Sequence, residues 1–218
     1  AFIGQEVEGK TVPAVAGYYL QPDGDFHVKR QLRSWEEAWG QYPAMNEAFD
    51  RFIASQTIMM GLEGIPAFYI HSLLGTGNDH AGVEKTGHNR AINRKRWDYP
   101  ELRWYLDDPE NEHARVLAAM KERIRIRARQ PGFHPNATQF TLHFGEQLFG
   151  FWRQSLDRDQ SIFAIHNVTK EEVSIPVMAV NLITGMGWKD LLSGEAIDPS
   201  RGEITFAPYQ CRWISNRG

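Results

Sequence analysis

One cysteine, Cys211, stands in 218 residues. That excludes an intrachain disulfide framework and a zinc site built on thiolates, and it is compatible with a reducing, cytoplasmic setting. No long apolar run is present either. The most apolar stretch, Phe52 to Gly75, is interrupted by Gln56, Glu63, Pro66 and His71, so it does not read as a membrane span and no membrane partner is expected. Residues 1–20 lack the basic start and small-residue cleavage site of a signal peptide, and the first residue is Ala1. A processed, trimmed or sub-cloned product is expected, with the sequence as part of a longer one. Charge is nearly balanced, 24 Lys and Arg against 27 Asp and Glu, which gives a net charge of −3 and no electrostatic case for nucleic acid. G-x-S-x-G, H-E-x-x-H, Walker and post-strand G-x-G-x-x-G motifs are all absent, and no cofactor is expected.

Apolar residues make up 42% and charged residues 23%, ordinary values for a chain with a packed core. Aromatic residues reach 12% with seven Trp, a content that suits carbohydrate or other flat apolar ligands as well as core packing. Residues 1–33 are cut by Gly4, Gly9, Pro13, Gly17, Pro22 and Gly24 into loop, with a strand pair expected around Tyr18–Leu20 and Phe26–Lys29. Ser34 and Glu37 resemble a capping box for a short helix, Trp35 to Trp39. From Asn46 to Leu62, apolar residues recur at three- and four-residue spacings until Gly61 and Gly64, which predicts a helix. Ile65 to Ile70 then predicts a short buried strand, with Pro66 near its start. Tyr99 to Leu106 predicts a short helix. Glu110 to Arg129 predicts a long one, with Ala114, Leu117, Met120, Ile124 and Ala128 on one stripe and an arginine-rich solvated face.

The pattern changes at Gln130-Pro131-Gly132. Beyond it come short alternating segments rich in β-branched and aromatic residues: Phe140–Phe144, Leu148–Arg153, Ser161–Asn167, Glu172–Val177, Glu203–Ala207 and Tyr209–Ile214. These predict an antiparallel sandwich of roughly 80 residues. The expected division is residues 1–133 and 134–218, with the boundary between Gly132 and Asn136.

Chemistry-bearing residues concentrate between Gly61 and Trp97, where an apolar run is followed by Asn78, Asp79, Glu84, Lys85, His88, Arg90, Asn93 and Arg94. A strand that ends in a long polar loop is how α/β barrels form the mouth of an active site. His71, His80 and His88 are spaced nine and eight apart, which fits no helix face or compact hairpin, so no metal site is expected. Gly75-Thr76-Gly77-Asn78-Asp79 has no helical pattern directly behind it and reads as an ordinary loop. Arg90 and Arg94 with Asp79 and Glu84 fit an ion-pair network; they fit equally a guanidinium fork for vicinal sugar hydroxyls or a phosphate.

The same segment resembles a known family. Gly64-Ile65-Pro66-Ala67-Phe68-Tyr69 resembles the G-x-P-x-x-Y opening of the eighth barrel strand in the α-amylase superfamily, the family 13 glycoside hydrolases. Asn78-Asp79, then Glu84-Lys85-Thr86-Gly87, then Arg90-Ala91-Ile92-Asn93-Arg94 are similar to the N-D, E-x-T-G and R-x-I-N-R of its sucrose-phosphorylase branch. Softer likeness runs through Gln130–Asn136, His166–Thr169, Asp190–Gly194 and Ala207–Gln210, so that about Asn46 to Ile214 is covered.

The resemblance implies α/β plus all-β architecture: the C-terminal portion of a (β/α)8 barrel followed by an antiparallel β-sandwich. It implies a retaining enzyme that transfers glucose from sucrose or a related α-glucoside to phosphate or water. In that branch an Asp nucleophile on the fourth strand and a Glu acid/base on the fifth carry out a double displacement. This sequence matches neither position, and residues 1–45 depart from the family pattern. The chain alone is therefore expected to be inactive, with the rest of the barrel supplied by an N-terminal part or another chain. Arg90, the first Arg of R-x-I-N-R, is implied as the contact to the glucosyl hydroxyls. Asp79, Glu84 and Arg94 are implied as residues that shape its loop. The alternative is a carbohydrate-binding or assembly module that has kept the scaffold and lost the chemistry.

Overall fold

The computed structural model describes residues 3–7, 10–14, 43–183, 186–200 and 202–217. The strand pair expected at 18–29 and the helix expected at 35–39 lie outside them. The chain divides into two compact units, Ala1–Ile53 with Ala67–Lys121, and Ala54–Pro66 with Glu122–Gly218.

In the first unit, β1 (Ile3–Val7) and β2 (Lys10–Ala14) form an antiparallel hairpin that the scattered glycines concealed in the sequence. Five α-helices are described after it: α1 (Pro43–Gly61), a single turn α2 (Ile70–Leu73), α3 (His80–Thr86), α4 (Tyr99–Leu106) and α5 (Glu112–Ala128). Helix α1 continues into the second unit at Ala54, and α5 at Glu122. Helix α4 forms where the sequence predicts it; Asp98 caps it by accepting from Glu101 N at 3.2 Å, with Pro100 in its first turn. The chain before α4 is pinned near the start of α5. His113 Nδ1 lies 2.5 Å from Leu74 O, Trp97 Nε1 donates to Thr76 Oγ1 at 3.0 Å, and the Trp97 and His113 rings meet edge-on at 5.0 Å.

The expected buried strand at Ile65 to Ile70 does not form. Residues 65–69 belong to no helix or strand, Ile70 opens α2, and Ile65 and Ile70 are 83% and 54% exposed. A parallel barrel strand is held by hydrogen bonds to neighbours on both sides. Among the described residues no strand lies beside this segment.

The second unit contains a six-stranded antiparallel sheet in the order β3-β4-β5-β10-β7-β8. Its strands are β3 (Thr138–His143), β4 (Leu148–Gln154), β5 (Ser161–Asn167), β7 (Trp188–Asp190), β8 (Ala196–Ile197) and β10 (Cys211–Ser215). A two-stranded ribbon, β6 (Val173–Pro176) with β9 (Glu203–Phe206), forms the smaller layer. Phe163 and Ile165 of β5, Ile214 of β10, Ile175 of β6 and Ile204 and Phe206 of β9 close one apolar core. Strand β5 sits between β4 and β10 and is buried along nearly its whole length.

The other face of the sheet receives the end of α1. Its last carbonyls have no helical donor, and two arginines supply one each. Arg127 Nε donates to Met60 O at 2.6 Å and Arg153 Nη1 to Gly61 O at 2.8 Å. Arg127 Nη2 also reaches Phe133 O at 3.0 Å, and Arg153 Nη2 reaches His134 O and Ala137 O at 2.8 and 3.2 Å. The arginine face of α5 is thus only partly solvated. Arg123, which donates to Thr57 Oγ1 at 2.9 Å, and Arg127 turn inward, while Arg125 and Arg129 stay exposed. Gly64, at φ 99°, makes the left-handed bend that follows α1.

Candidate functional site

Tyr69, Asn89, Arg90, Ile92, Asn93 and Arg94 line a concavity of about 450 Å³ in the first unit. It is held open by short local structures. Asp79, read as part of an ordinary loop, caps the helix α3 that begins directly behind it. Its Oδ1 accepts from Gly82 N at 2.8 Å, and its backbone N donates to Ile92 O at 2.7 Å. The second bond ties the start of α3 to the far side of the loop. A Cβ at Gly82 would collide with that same Asp79 carboxylate, so the cap requires glycine there. At the other end Gly87, at φ 67°, stops α3 in the left-handed conformation and donates its N–H to Val83 O at 2.8 Å.

A 3₁₀ turn over Asn89–Asn93 then curls Arg90 and Arg94 toward Tyr69. The Tyr69 hydroxyl donates to Asn93 O at 3.1 Å and closes one wall. Behind it, His71 meets the Tyr69 ring edge-on at 5.0 Å. Burial, then the nearby charge of Lys95, hold the His71 imidazole below its ordinary pKa, so it is neutral at pH 7. Lys95 in turn lies 3.7 Å above the Trp97 ring centre, a cation–π contact that fixes the chain beyond Arg94.

Of the residues singled out from sequence, Arg90 and Arg94 line the concavity, Asp79 caps the helix beside it, and Glu84 lies exposed on α3. No ion pair joins the two arginines to Asp79, Glu84 or any other described carboxylate. Both guanidiniums are exposed, so their donors face solvent. Tyr69, Asn89 and Asn93 were not singled out as lining residues. Tyr69 and Asn93 do stand inside the quoted G-x-P-x-x-Y and R-x-I-N-R, whereas Asn89 carries no signal of its own. His71, His80 and His88 do not converge, and no group of three His, Cys, Asp or Glu among the described residues is arranged to hold a metal ion.

The arrangement offers two planar donor forks and an amide-rich rim to a polyol or an anion, with a tyrosine ring as flank. Its lining includes no carboxylate, whereas retaining cleavage of a glycoside takes a facing pair. No described helix is long and apolar enough to cross a membrane.

No protein-family model matches the chain. Among curated proteins it is 36% identical over 176 residues to the glucosylglycerate phosphorylase of Allomeiothermus silvanus, covering 79% of this chain and 29% of that protein. It is 32% identical over 173 residues to the glucosylglycerate phosphorylase of Spirochaeta thermophila, covering 76% of this chain and 30% of that protein. The chain thus spans under a third of the length of these relatives, and the matched part is their C-terminal portion. Among solved structures, AmyP in complex with maltose superposes with a TM-score of 0.59 at 14% identity, over 78% of this chain and 35% of that one. The fold is that of the C-terminal portion of a (β/α)8 barrel followed by an antiparallel β-sandwich. In sequence and in fold, the chain matches the C-terminal part of phosphorylases of the α-amylase superfamily.

Proposed function

We propose that the protein carrying this chain is a retaining α-glucoside phosphorylase that transfers glucose between glycerate and phosphate, and that this chain supplies one wall of its glucosyl site. The observation that carries the reading is the concavity at Tyr69 to Arg94. It presents two guanidiniums without carboxylate partners on the segment bearing R-x-I-N-R. Arg90 donates to hydroxyls of the glucosyl ring. Asp79, through its cap on α3 and its bond to Ile92 O, holds the turn that aims Arg90, while Glu84 and Arg94 complete that loop. The relatives' names favour glycerate over the fructose of a sucrose phosphorylase as the partner sugar acid or sugar.

Retention requires a nucleophile and an acid/base about 5 Å apart, one ionised and one protonated. We assign both to barrel segments outside this chain, so the chain alone turns over no substrate. Within it, we place the boundary between barrel portion and sandwich at residues 133 and 134.

The test is synthesis from glucose 1-phosphate with a panel of acceptors: glycerate, glycerol, fructose and water. Phosphate release that is greatest with glycerate supports the reading. Release that is greatest with fructose returns the protein to a sucrose phosphorylase. Sugar binding without any release, by a protein shown to be folded, favours the module that has lost its chemistry.

A further inference from the structure

A second concavity, of about 320 Å³, lies within the second unit, where the C-terminal end of α5 meets the start of β5, the turn after β7 and the chain after β10. Its floor groups are already committed. Gln160 Oε1 accepts from Gly132 N at 2.8 Å, and Nε2 donates to Gln130 Oε1 at 2.6 Å and to Arg217 O at 2.9 Å. The buried Asp190 carboxylate accepts from Leu192 N, Trp213 N and Ser193 Oγ, with Arg212 Nη1 at 3.9 Å as counter-charge.

What remains uncommitted around the rim is cationic: Arg129, Lys189 and Arg217. None of the three forms an ion pair with a described residue. Arg217 lies near enough to Asp157 to help hold that carboxyl low, a minor contribution beside the Ser155 hydroxyl, but makes no ion pair with it. The C-terminal end of a helix repels anions through its bare carbonyls. Here two of those carbonyls are taken, Ile126 O by Arg129 N and Gln130 Nε2, and Arg127 O by Gln130 N. In a chain of net charge −3, three like charges on one crevice whose lining carboxylate, Asp190, already accepts three hydrogen bonds call for an anion. The volume sits at the lower end of small-molecule sites, which begin at about 300 Å³, so it admits a phosphate or a phosphorylated monosaccharide.

We propose that this crevice binds a phosphate dianion, free or as the head of a sugar phosphate, through Arg129, Lys189 and Arg217. The site is separate in sequence and in lining from the Tyr69 to Arg94 concavity, and the inference does not depend on the function proposed there.

The experiment titrates the expressed protein, carrying Arg90→Ala so that the first concavity does not contribute through that arginine, with inorganic phosphate and then with glucose 1-phosphate. Glucose serves as the uncharged control. Saturable binding of phosphate that weakens with salt and falls about tenfold or more in Arg129→Glu/Lys189→Glu is expected. Tighter binding of glucose 1-phosphate than of phosphate would identify a sugar phosphate as occupant, and equal binding would identify the free ion. Arg217→Glu alone should weaken binding by a smaller factor, and circular dichroism checks that each variant is folded. No saturable binding, or an isotherm unchanged in the folded double variant, overturns the assignment.

Discussion

Replacing Arg153 with methionine keeps most of the side chain's volume and removes a guanidinium that is 0% exposed. The charge is held below its ordinary pKa by burial and then by Arg127, with Glu63 acting the other way, so Arg153 sits in its site by virtue of hydrogen bonds and not of an ion pair. Three carbonyls lose a donor. His134 O keeps the N–H of Ala137, whereas no other donor among the described residues reaches Gly61 O or Ala137 O. At about 2 kcal/mol for each orphaned buried acceptor the loss is about 4 kcal/mol. The idle Nε–H of Arg153, buried without a partner, disappears with the substitution and returns about 1 kcal/mol. The net expectation is a destabilisation of about 3 kcal/mol. With an m-value of about 2 kcal/mol/M, the urea midpoint falls by about 1.5 M. Arg153→Lys retains the charge but not the fork, and should fall between wild type and Arg153→Met. A midpoint that moves by less than about 0.3 M in Arg153→Met, or a lysine variant less stable than the methionine one, would refute the claim that this guanidinium closes the end of α1.

Two further outcomes follow from buried and capping groups. His166 is fully buried between the rings of Phe149 and Phe151 with neither nitrogen bonded, and burial lowers its pKa to about 3. The unfolded chain takes up this proton near pH 6.5 while the folded one does not. Stability contributed here is therefore complete above about pH 6.5 and is lost by up to about 1.4 kcal/mol per pH unit toward about pH 3. His166→Leu should remove that slope in urea titrations across the range, and an unchanged slope would show that another group sets it. Asp79→Ala removes the cap on α3 and should cost about 1 kcal/mol locally. Faster hydrogen exchange at Gly82 and Val83 with little change in the urea midpoint is the expected sign; unchanged exchange would remove Asp79 from the account of how the loop is held.

How far the sequence could be read depended on whether the deciding contacts were local. Helices α1, α4 and α5 and strand β5 were legible, because the spacing of apolar residues in the helices and the β-branched and aromatic content of the strand are written within each segment. Residues 65–70 carry the same apolar signature as a strand, yet a strand exists only through neighbours, and none is present among the described residues. Helix α3 was missed because it is seven residues long, contains Gly82 and rests on one capping bond from Asp79. The inward turn of Arg123 and Arg127 was illegible for the opposite reason. Their acceptors at Thr57, Met60 and Phe133 come from elsewhere in the chain, and spacing alone makes them one solvated face with Arg125 and Arg129. At the candidate site the resemblance supplied Arg90 and its loop. The gathering of Tyr69, Asn89 and Asn93 around that arginine depends on the 3₁₀ turn and the Tyr69 to Asn93 bond, which no motif encodes.

The most direct test of the glucosyl-site assignment is steady-state phosphorolysis by the purified, complete protein, wild type against Arg90→Ala, followed as glucose 1-phosphate formed from glucosylglycerate and phosphate. The account predicts turnover by the wild type and a fall in kcat/KM of about 100-fold in the variant, the loss of a charge-assisted fork worth about 3 kcal/mol. An active wild type with unchanged kinetics in Arg90→Ala would contradict it.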